Sequence, residues 1–404
     1  MTEPSTGPST DSPGVTAALG FRASGVTAGL KASGKPDLAL VVNDGPLQVG
    51  AAVFTSNRVV GAPVLWSRQV VSDGIVSAVV LNSGGANVAT GPEGFQDSHR
   101  TAELVAQGLG VSAGDVVVCS TGLIGVRLAS ERLFAGIDPA IASLGADGGP
   151  SAAEAIMTTD SVAKTAHVTI AAADGSRWTV GGMAKGAGML APALATMLVV
   201  ITTDAVVDAA QADAALRAAT RTTFDRVDSD GAMSTSDTVT LLVSGASGIA
   251  PEPEAFASAV REVSASLARQ LVADAEGASH DIAVRVMGAS SEEAAVAVAR
   301  AVTRSNLVKA AFFGNDPNWG RIIAQVGTVP EEVAPFDATN IDVAINGVQV
   351  CRASALGEDP ALLDLASSRE VHVEIDLHAG VAEATVWTND LTHAYVHENS
   401  AYST

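Results

Sequence analysis

The chain has 404 residues, of which 47% are hydrophobic and 17% charged, and its formal net charge is −21 at pH 7. An excess of acidic over basic side chains argues against binding to nucleic-acid backbones, which needs clustered Lys and Arg, and against docking on an anionic membrane surface. The length suggests two or three domains, or one two-lobed unit, with a sizeable core. Composition therefore favours a globular protein that acts on small molecules.

The termini and the cysteines give no sign of secretion or of a membrane anchor. Residues 1–14 are rich in Ser, Thr, Pro and Gly and lack an apolar segment, so we predict a disordered tail and no signal peptide. Cys119 and Cys351 are the only cysteines, far apart, which indicates neither a disulfide framework nor a zinc site. The longest apolar run, Gly186–Ile201, is shorter than a membrane helix and contains Pro192. We expect a cytoplasmic protein.

Segments with strand-like and helix-like patterns alternate along the chain, which predicts an α/β fold. In chain order the patterns predict strands at Leu38–Val42 and Ser77–Leu81, a helix at Gln96–Leu109, a strand at Asp115–Cys119, a helix at Ala129–Ile137, strands at Ala166–Ala171 and Met197–Thr202, a helix at Ala209–Thr223, a strand at Thr238–Val243, a helix at Pro253–Ala275, a strand at Asp281–Met287, a helix at Ser291–Arg304 and strands within Asn340–Val350.

Two local signals support the predicted helices and strands in the second half of the chain. Ser291 precedes two glutamates, the pattern of a capped helix start. Asn346-Gly347 stands between alternating apolar residues and predicts a two-residue hairpin turn. No repeat of 20–50 residues is present, which argues against a solenoid, and no linker marks a domain boundary.

The most unusual segment is Thr179–Asp204. A single charge, Lys185, stands in what the sequence suggests is a glycine loop, and Thr196 follows shortly before a buried strand. The simplest interpretation is a buried strand entered through a flexible loop. The alternative is a nucleophilic Thr196, whose own α-amine would act as base once the preceding peptide bond is cut.

A second candidate is Thr121-Gly122, directly after an apolar strand. A hydroxyl and an open backbone N–H there would suit a developing oxyanion, although an ordinary glycine turn explains the same residues. The segment Gly314–Arg321 is either a polar loop that shapes a site or a well-determined turn. The seven histidines form no metal-binding pattern, and the Asn82–Asn87 loop lacks the phosphate-binding motifs.

Taken together, these segments resemble the self-cleaving, bifunctional ornithine acetyltransferase (glutamate N-acetyltransferase) family of arginine biosynthesis, over about Gly14 to Thr404. The order and spacing of the motifs make the match specific. They are Val53–Arg58, Asn82–Asn87, Ser120–Gly122, Ala155–Asp160, Lys185–Met189, Ala195–Leu198, Glu276-Gly277, Asn315–Arg321 and Asn399–Tyr402.

The resemblance implies a layered αββα fold similar to that of N-terminal nucleophile hydrolases, with a smaller α/β lobe. It also implies self-cleavage between Ala195 and Thr196. After the tail, residues 15–195 would form an α chain, and residues 196–404 a β chain that begins with the nucleophile. Two α and two β chains are expected to form a heterotetramer.

The family's functional residues map onto this sequence position by position. Thr196 is the expected nucleophile, and Thr121 and Gly122 the expected oxyanion hole. The implied substrate-binding residues are Thr159, Lys185, Thr196, Glu276, Asn399 and Thr404. The resemblance implies no metal or prosthetic group.

The implied reaction moves the acetyl group of N-acetylornithine onto Thr196 and then onto glutamate. Whether acetyl-CoA also serves as donor stays open. An amidohydrolase or aminopeptidase that uses water as acceptor is the alternative among enzymes, and a non-catalytic ligand-binding protein is the alternative outside them. Departures from the family's usual residues, which affect expectations of affinity, are Ala187, Ala232, Met233 and His280.

Overall fold

The computed structural model describes residues 12–171, 175–191 and 197–401. In chain order its strands and α-helices are β1 Phe21–Val26, β2 Leu38–Asn43, β3 Val49–Phe54, α1 Ala62–Val70, β4 Ala78–Ser83, α2 Gly91–Leu109, β5 Val116–Thr121, α3 Ser130–Ala142, α4 Gly149–Ala155, β6 Lys164–Ala171, β7 Arg177–Lys185, β8 Leu198–Thr203, α5 Ala209–Thr222, β9 Thr238–Val243, α6 Pro253–Ala273, β10 Asp281–Ala289, α7 Glu292–Thr303, α8 Asn306–Phe313, α9 Trp319–Val326, β11 Asp342–Ile345, β12 Val348–Arg352, β13 Ala355–Leu356, β14 Glu370–Asp376, β15 Ala382–Asn389 and α10 His393–Ala401.

Two stacked sheets form the larger lobe. One has the strand order β1-β2-β4-β5 and the other β3-β9-β8-β7-β6. Every residue of strand β2 is buried, so neither of its faces is exposed to solvent. Val41 points into the core between the sheets, and Leu40 packs beneath the helices on the opposite face. Met183 and Val200 supply the facing side of the inter-sheet core. Strands buried on both faces lose polar alternation, which is why the sequence shows them as continuous apolar runs.

Helices cover the outer face of each sheet. Val105 of α2 and Ile137 of α3 pack on the four-stranded sheet, and Leu216 of α5 and Phe256 of α6 pack on the five-stranded one. The succession of helix, sheet, sheet and helix is the αββα arrangement that the family resemblance implies, and the predicted α/β class is confirmed.

A third, six-stranded sheet forms the core of a second lobe. Its order is β13-β12-β11-β14-β10-β15, and α7, α8 and α9 pack on it. Ser291 caps α7 by accepting a hydrogen bond from the Ala294 N–H, as predicted. Asn346 and Gly347 both have positive φ, the geometry of the predicted hairpin turn between β11 and β12.

Two sequence expectations differ from the structure around residues 181 and 12. Gly181 and Gly182 lie within β7, not in a flexible loop. These positions favour glycine because a side chain on Gly181 would clash with the Gly14 carbonyl and one on Gly182 would crowd Leu267 of α6. Within the predicted tail, residues 12–14 are described, and the Ser12 hydroxyl lies 2.9 Å from Nδ1 of His167. In the described ranges, no helix combines the length and apolarity that crossing a membrane requires.

Candidate active site

Strand ends from both stacked sheets converge on one place. In the five-stranded sheet β7 ends at Lys185, which pairs with Leu198 at the start of β8, and Leu198 pairs in turn with Thr238 at the start of β9. In the four-stranded sheet β5 ends at Thr121. The Lys185 ammonium lies 3.4 Å from the Thr121 hydroxyl and so bridges the two sheets.

Thr121 and Gly122 present a hydroxyl and an amide at this junction. Gly122 has φ of 129°, and a Cβ there would lie 2.5 Å from the Gly85 nitrogen, so the position accepts only glycine. Gly84 and Gly85 donate backbone hydrogen bonds to the Thr121 carbonyl at 3.0 and 2.9 Å, which fixes the turn. The Gly122 N–H donates to no acceptor within residues 12–171, 175–191 and 197–401. The pair therefore has the donors that an oxyanion hole needs.

Lys185 is a buried cation with few partners. It is 2% exposed and donates to the Thr158 hydroxyl at 2.7 Å, while its ammonium lies 3.8 Å from the Asp160 carboxylate. Burial lowers the pKa of Lys185, and the charge of Asp160 acts in the opposite direction. A desolvated ammonium whose hydrogen-bond partners are the neutral hydroxyls of Thr158 and Thr121, with a carboxylate farther away, is well suited to bind an anionic ligand group.

Asp160 organises the segment beneath Lys185. Its carboxylate accepts hydrogen bonds from the Gly186 N–H at 2.6 Å, the Thr158 N–H at 2.9 Å and the Lys164 ammonium at 2.7 Å. Burial alone would raise the pKa of Asp160, but the charges of Lys185 and Lys164 more than offset this and hold that pKa below its usual range. Lys164 also pairs with Asp274 at 2.5 Å, which ties this network to the residue that follows α6.

Glu276 lies against the backbone of Ala187 and Gly188, shortly after the end of β7. Its N–H donates to the Ala187 carbonyl at 3.0 Å, and a Cβ on Gly188 would stand 2.6 Å from the Glu276 carboxylate. Asn399 of α10 donates to that carboxylate at 2.9 Å. Burial lowers the pKa of Lys185, and the negative charge of Glu276 opposes this lowering together with that of Asp160, so the two predicted binding residues act on one another.

Thr392, the residue before helix α10, fastens the start of that helix beside Glu276-Gly277. The Thr392 hydroxyl donates to the Gly277 carbonyl at 2.6 Å and accepts from the Tyr395 N–H at 3.0 Å. Burial raises the pKa of Tyr395 to about 12, and the charges of Asp230 and Glu276 act in the same direction. The C-terminal helix is thus part of the site's wall.

The structure brings together five of the predicted site residues and leaves three outside the described residues. Those it brings together are Thr121, Gly122, Lys185, Glu276 and Asn399, and those outside are Ala195, Thr196 and Thr404. Thr159 is half-buried between the two residues that do contact the lysine region, Thr158 and Asp160.

Thr158, Asp160 and Lys164, which surround Lys185 in the fold, were not predicted as site residues from the sequence. The available signal was the position of Thr158 and Asp160 inside a segment that carries the family resemblance, with a lysine four residues after the aspartate. Lys164 of that Asp–Lys pair also binds Asp274, which follows α6 far along the chain, so the network is not visible in a local pattern.

The residues that depart from the family's usual pattern lie mostly away from the charged groups of the site. Ala187 is buried and acts through its carbonyl, and Ala232 and Met233 are exposed. The two ring nitrogens of His280 lie 3.1 Å from Asp390 and 3.2 Å from the Leu365 carbonyl, so the imidazole is engaged within the second lobe. In the Gly314–Arg321 segment, Asn318 caps α9, which supports the turn interpretation.

Neither cysteine is suited to act as a nucleophile. Burial raises the pKa of Cys119 to about 12, so its thiol stays protonated at neutral pH although it lies two residues before Thr121. The pKa of Cys351 is also raised by burial.

Comparison with known proteins decides the family. The sequence profile of the ArgJ family matches residues 22–404. The chain belongs to the ArgJ family. The arginine biosynthesis bifunctional protein ArgJ of Streptomyces avermitilis is 61% identical over 389 residues, covering 96% of this chain and 99% of that protein. The protein of the same description from Mycobacterium leprae is 52% identical over 398 residues, with 96% of each covered.

Solved structures include relatives of the same family. The ornithine acetyltransferase of Mycobacterium tuberculosis, crystallised with ornithine, is 54% identical, with a TM-score of 0.42, and covers 46% of this chain and 96% of that chain. The ArgJ structure from Bacillus halodurans is 34% identical, with a TM-score of 0.48, and covers 50% of this chain and 98% of that chain. The sequence-based assignment to this family, and to enzymes, is confirmed by the profile match and the ArgJ relatives.

Proposed function

We propose that the protein transfers the acetyl group of N2-acetyl-L-ornithine to L-glutamate through an acetyl ester on Thr196, after self-cleavage between Ala195 and Thr196. The observation that carries this proposal is the junction of Lys185, the Thr121 hydroxyl and the open Gly122 N–H beside the start of β8. Met197, which follows Thr196 in the sequence, directly precedes β8, and this connectivity supports the assignment of Thr196 to the junction.

The charges of the site suit an amino-acid substrate. Lys185 offers a buried positive charge for a carboxylate, and Glu276, oriented by Asn399, offers a negative charge for an amino group. Ornithine and glutamate derivatives carry both kinds of group. Opposite charges at two fixed points orient such a molecule as well as bind it.

The acyl transfer needs a nucleophile, a base and a stabilised oxyanion. The Thr196 hydroxyl attacks the acetyl carbonyl while its free α-amine takes the proton, and the Thr121 hydroxyl and Gly122 N–H donate to the oxygen that becomes negative. Ornithine leaves, and the amine of glutamate then attacks the acetyl ester. A single acyl-accepting residue implies ping-pong kinetics.

Several finer features of the assignment stay predictions. They are the use of acetyl-CoA as a second donor, the absence of a prosthetic group, the cytoplasmic location and the assembly of two α and two β chains into a heterotetramer.

The acceptor distinguishes a transferase from a hydrolase. Purified protein mixed with N-acetylornithine alone should gain the mass of one acetyl group on the chain that begins with Thr196, and added glutamate should remove it and yield N-acetylglutamate. Initial rates at varied concentrations of both substrates should give parallel double-reciprocal lines. Acetate release at a rate that glutamate does not change would favour the amidohydrolase alternative instead.

A further inference from the structure

Asp237 faces the residue that follows the expected nucleophile. It directly precedes β9, and because Leu198 pairs with Thr238 in parallel register, Asp237 stands opposite Met197. Its Oδ1 accepts a hydrogen bond from the Met197 N–H at 3.0 Å. The side chain belongs to a residue with no exposed surface, at the same sheet edge as Lys185.

The second carboxyl oxygen of Asp237 has no hydrogen-bond partner among the residues that the structure describes. A buried carboxylate in this condition is costly, and protonation removes most of that cost. Burial raises the pKa of Asp237 well above its usual range, while the Met197 N–H, the Ser234 side chain and Lys185 act in the opposite direction. Burial and the lack of a partner for this oxygen therefore favour the protonated form of Asp237, which has a proton to donate.

Covalent geometry limits how far this acid is from the scissile bond. The Met197 nitrogen is bonded to the carbonyl carbon of Thr196, and standard bond lengths place the Thr196 nitrogen within about 4 Å of it. The N–H bound by Asp237 therefore belongs to the peptide group next to the scissile bond along the chain. No described carboxyl group other than that of Asp237 hydrogen-bonds to the Met197 N–H.

We propose that Asp237 is the general acid of self-cleavage, which protonates the Thr196 nitrogen as its bond to Ala195 breaks. This inference rests on the proposed function, because it assumes cleavage at that bond. The Thr196 oxygen forms a bond to the Ala195 carbonyl carbon and loses its proton, the carbon–nitrogen bond breaks, and Asp237 gives its proton to the nitrogen. The proton from the hydroxyl restores the acid, and water then hydrolyses the ester.

A purely structural role predicts a different response to substitution. In Asp237→Asn the amide oxygen still accepts from the Met197 N–H and the shape is kept, but no proton is available for transfer. In Asp237→Glu the proton is kept and the geometry is altered. Asn should therefore be the more damaging change if Asp237 is an acid, and the less damaging one if it only fastens β8 to β9.

The experiment follows cleavage of freshly translated full chain by intact mass against time. We expect wild type to cleave, Thr196→Ala not to cleave, and Asp237→Asn to cleave at least about 100-fold more slowly than wild type, the usual contribution of general acid–base catalysis. Asp237→Glu should cleave faster than Asp237→Asn. Hydroxylamine, which attacks esters, should not rescue Asp237→Asn, because the ester does not form.

Cleavage of Asp237→Asn at the wild-type rate, or its rescue by hydroxylamine, would overturn the role of Asp237 and leave the proposed function intact. Absence of cleavage in wild type would instead defeat the proposed function. Circular dichroism checks that each precursor is folded.

A second measurement needs no Asp237 variant. The charged groups that act on Asp237 are Lys185 of β7 and Asp225. Wild-type cleavage should slow as pH rises through the raised pKa of Asp237, because the acid form is lost. In Lys185→Met this fall should move to higher pH, since the positive charge that favours the carboxylate is removed. If the cleavage rate of Lys185→Met no longer falls as pH rises, the titrating group is the lysine, and the proposal is contradicted.

Discussion

Lys185 and Thr121 are 64 residues apart in sequence and belong to different sheets, yet the lysine ammonium lies 3.4 Å from the threonine hydroxyl. The contact closes the gap between the ends of β7 and β5. The stacking of the two sheets therefore fixes the proposed substrate-binding cation relative to the proposed oxyanion donors.

Removing the Thr121 hydroxyl should slow acetyl transfer without much change in KM. Thr121→Ala loses one of two donors to the oxyanion, which typically lowers kcat by about 10²–10³-fold, or about 2.7–4 kcal/mol in barrier. Thr121→Ser keeps the hydroxyl and serves as the matched control. Steady-state rates are measured on the cleaved fraction of each variant. Equal kcat values for the Ala and Ser variants would show that the hydroxyl does not stabilise the transition state.

Asp160→Asn should destabilise the fold at neutral pH. It removes one partner of a buried ion pair with Lys164, a change that costs about 3–5 kcal/mol. Urea unfolding is compared in a Thr196→Ala background, so that both proteins are expected to be single chains.

The pH dependence of that difference has a definite sign. Because the pKa of Asp160 is lowered in the folded state, its contribution is fully present above the unfolded value of about 3.9 and is lost as pH falls through the lower folded pKa. The stability difference between the two proteins should be constant from about pH 5 to 8 and shrink below about pH 4. A difference that grows on acidification would contradict the assigned pairing.

The KM for N-acetylornithine should rise at alkaline pH. Binding of the substrate carboxylate needs the protonated Lys185, whose pKa is lowered by burial, so affinity falls as pH rises through it. The charge of Asp160 supports the protonated form, and Asp160→Asn should therefore move the rise in KM to lower pH. If KM has the same pH profile in wild type and in Asp160→Asn, Lys185 does not bind the substrate carboxylate.

Gly188→Ala should weaken substrate binding. A Cβ at this position stands 2.6 Å from the Glu276 carboxylate, which must move away from its hydrogen bond with Asn399. Gly320→Ala is the matched control, because a Cβ there approaches nothing closer than 3.6 Å. We expect a raised KM for Gly188→Ala and unchanged kinetics for Gly320→Ala. An unaltered KM in Gly188→Ala would argue that Glu276 does not contact the substrate.

Local patterns predict the α/β class and part of the site, for reasons visible in particular residues, whereas the αββα layering was implied only by the family resemblance. Thr121-Gly122 follows a continuous apolar run, β5, so the sequence itself places a hydroxyl and a flexible backbone at a strand end. Strand β7 was not predicted, because glycine is depleted in strands. The two consecutive glycines of this strand, Gly181 and Gly182, allow close packing against Gly14 and α6.

The buried charge network could not be predicted from sequence, because its members meet only in the folded chain. Asp274 reaches Lys164 across 110 residues, and Asp237 is buried by pairing of β9 with β3 and β8. A polar segment such as Ser234–Asp237 reads as an exposed loop when its neighbours are unknown. Tertiary burial turns those same side chains into groups with shifted pKa values.

Intact-mass analysis of purified wild-type protein beside Thr196→Ala tests both self-cleavage and the role of Thr196 as nucleophile. Cleavage at Ala195–Thr196 predicts two wild-type chains, residues 1–195 and 196–404, with the second able to carry one acetyl group after exposure to N-acetylornithine. Thr196→Ala should remain one chain of 404 residues and be inactive. A single uncleaved wild-type chain that is fully active, or a Thr196→Ala protein that still separates at this bond with no protease present, would contradict the account.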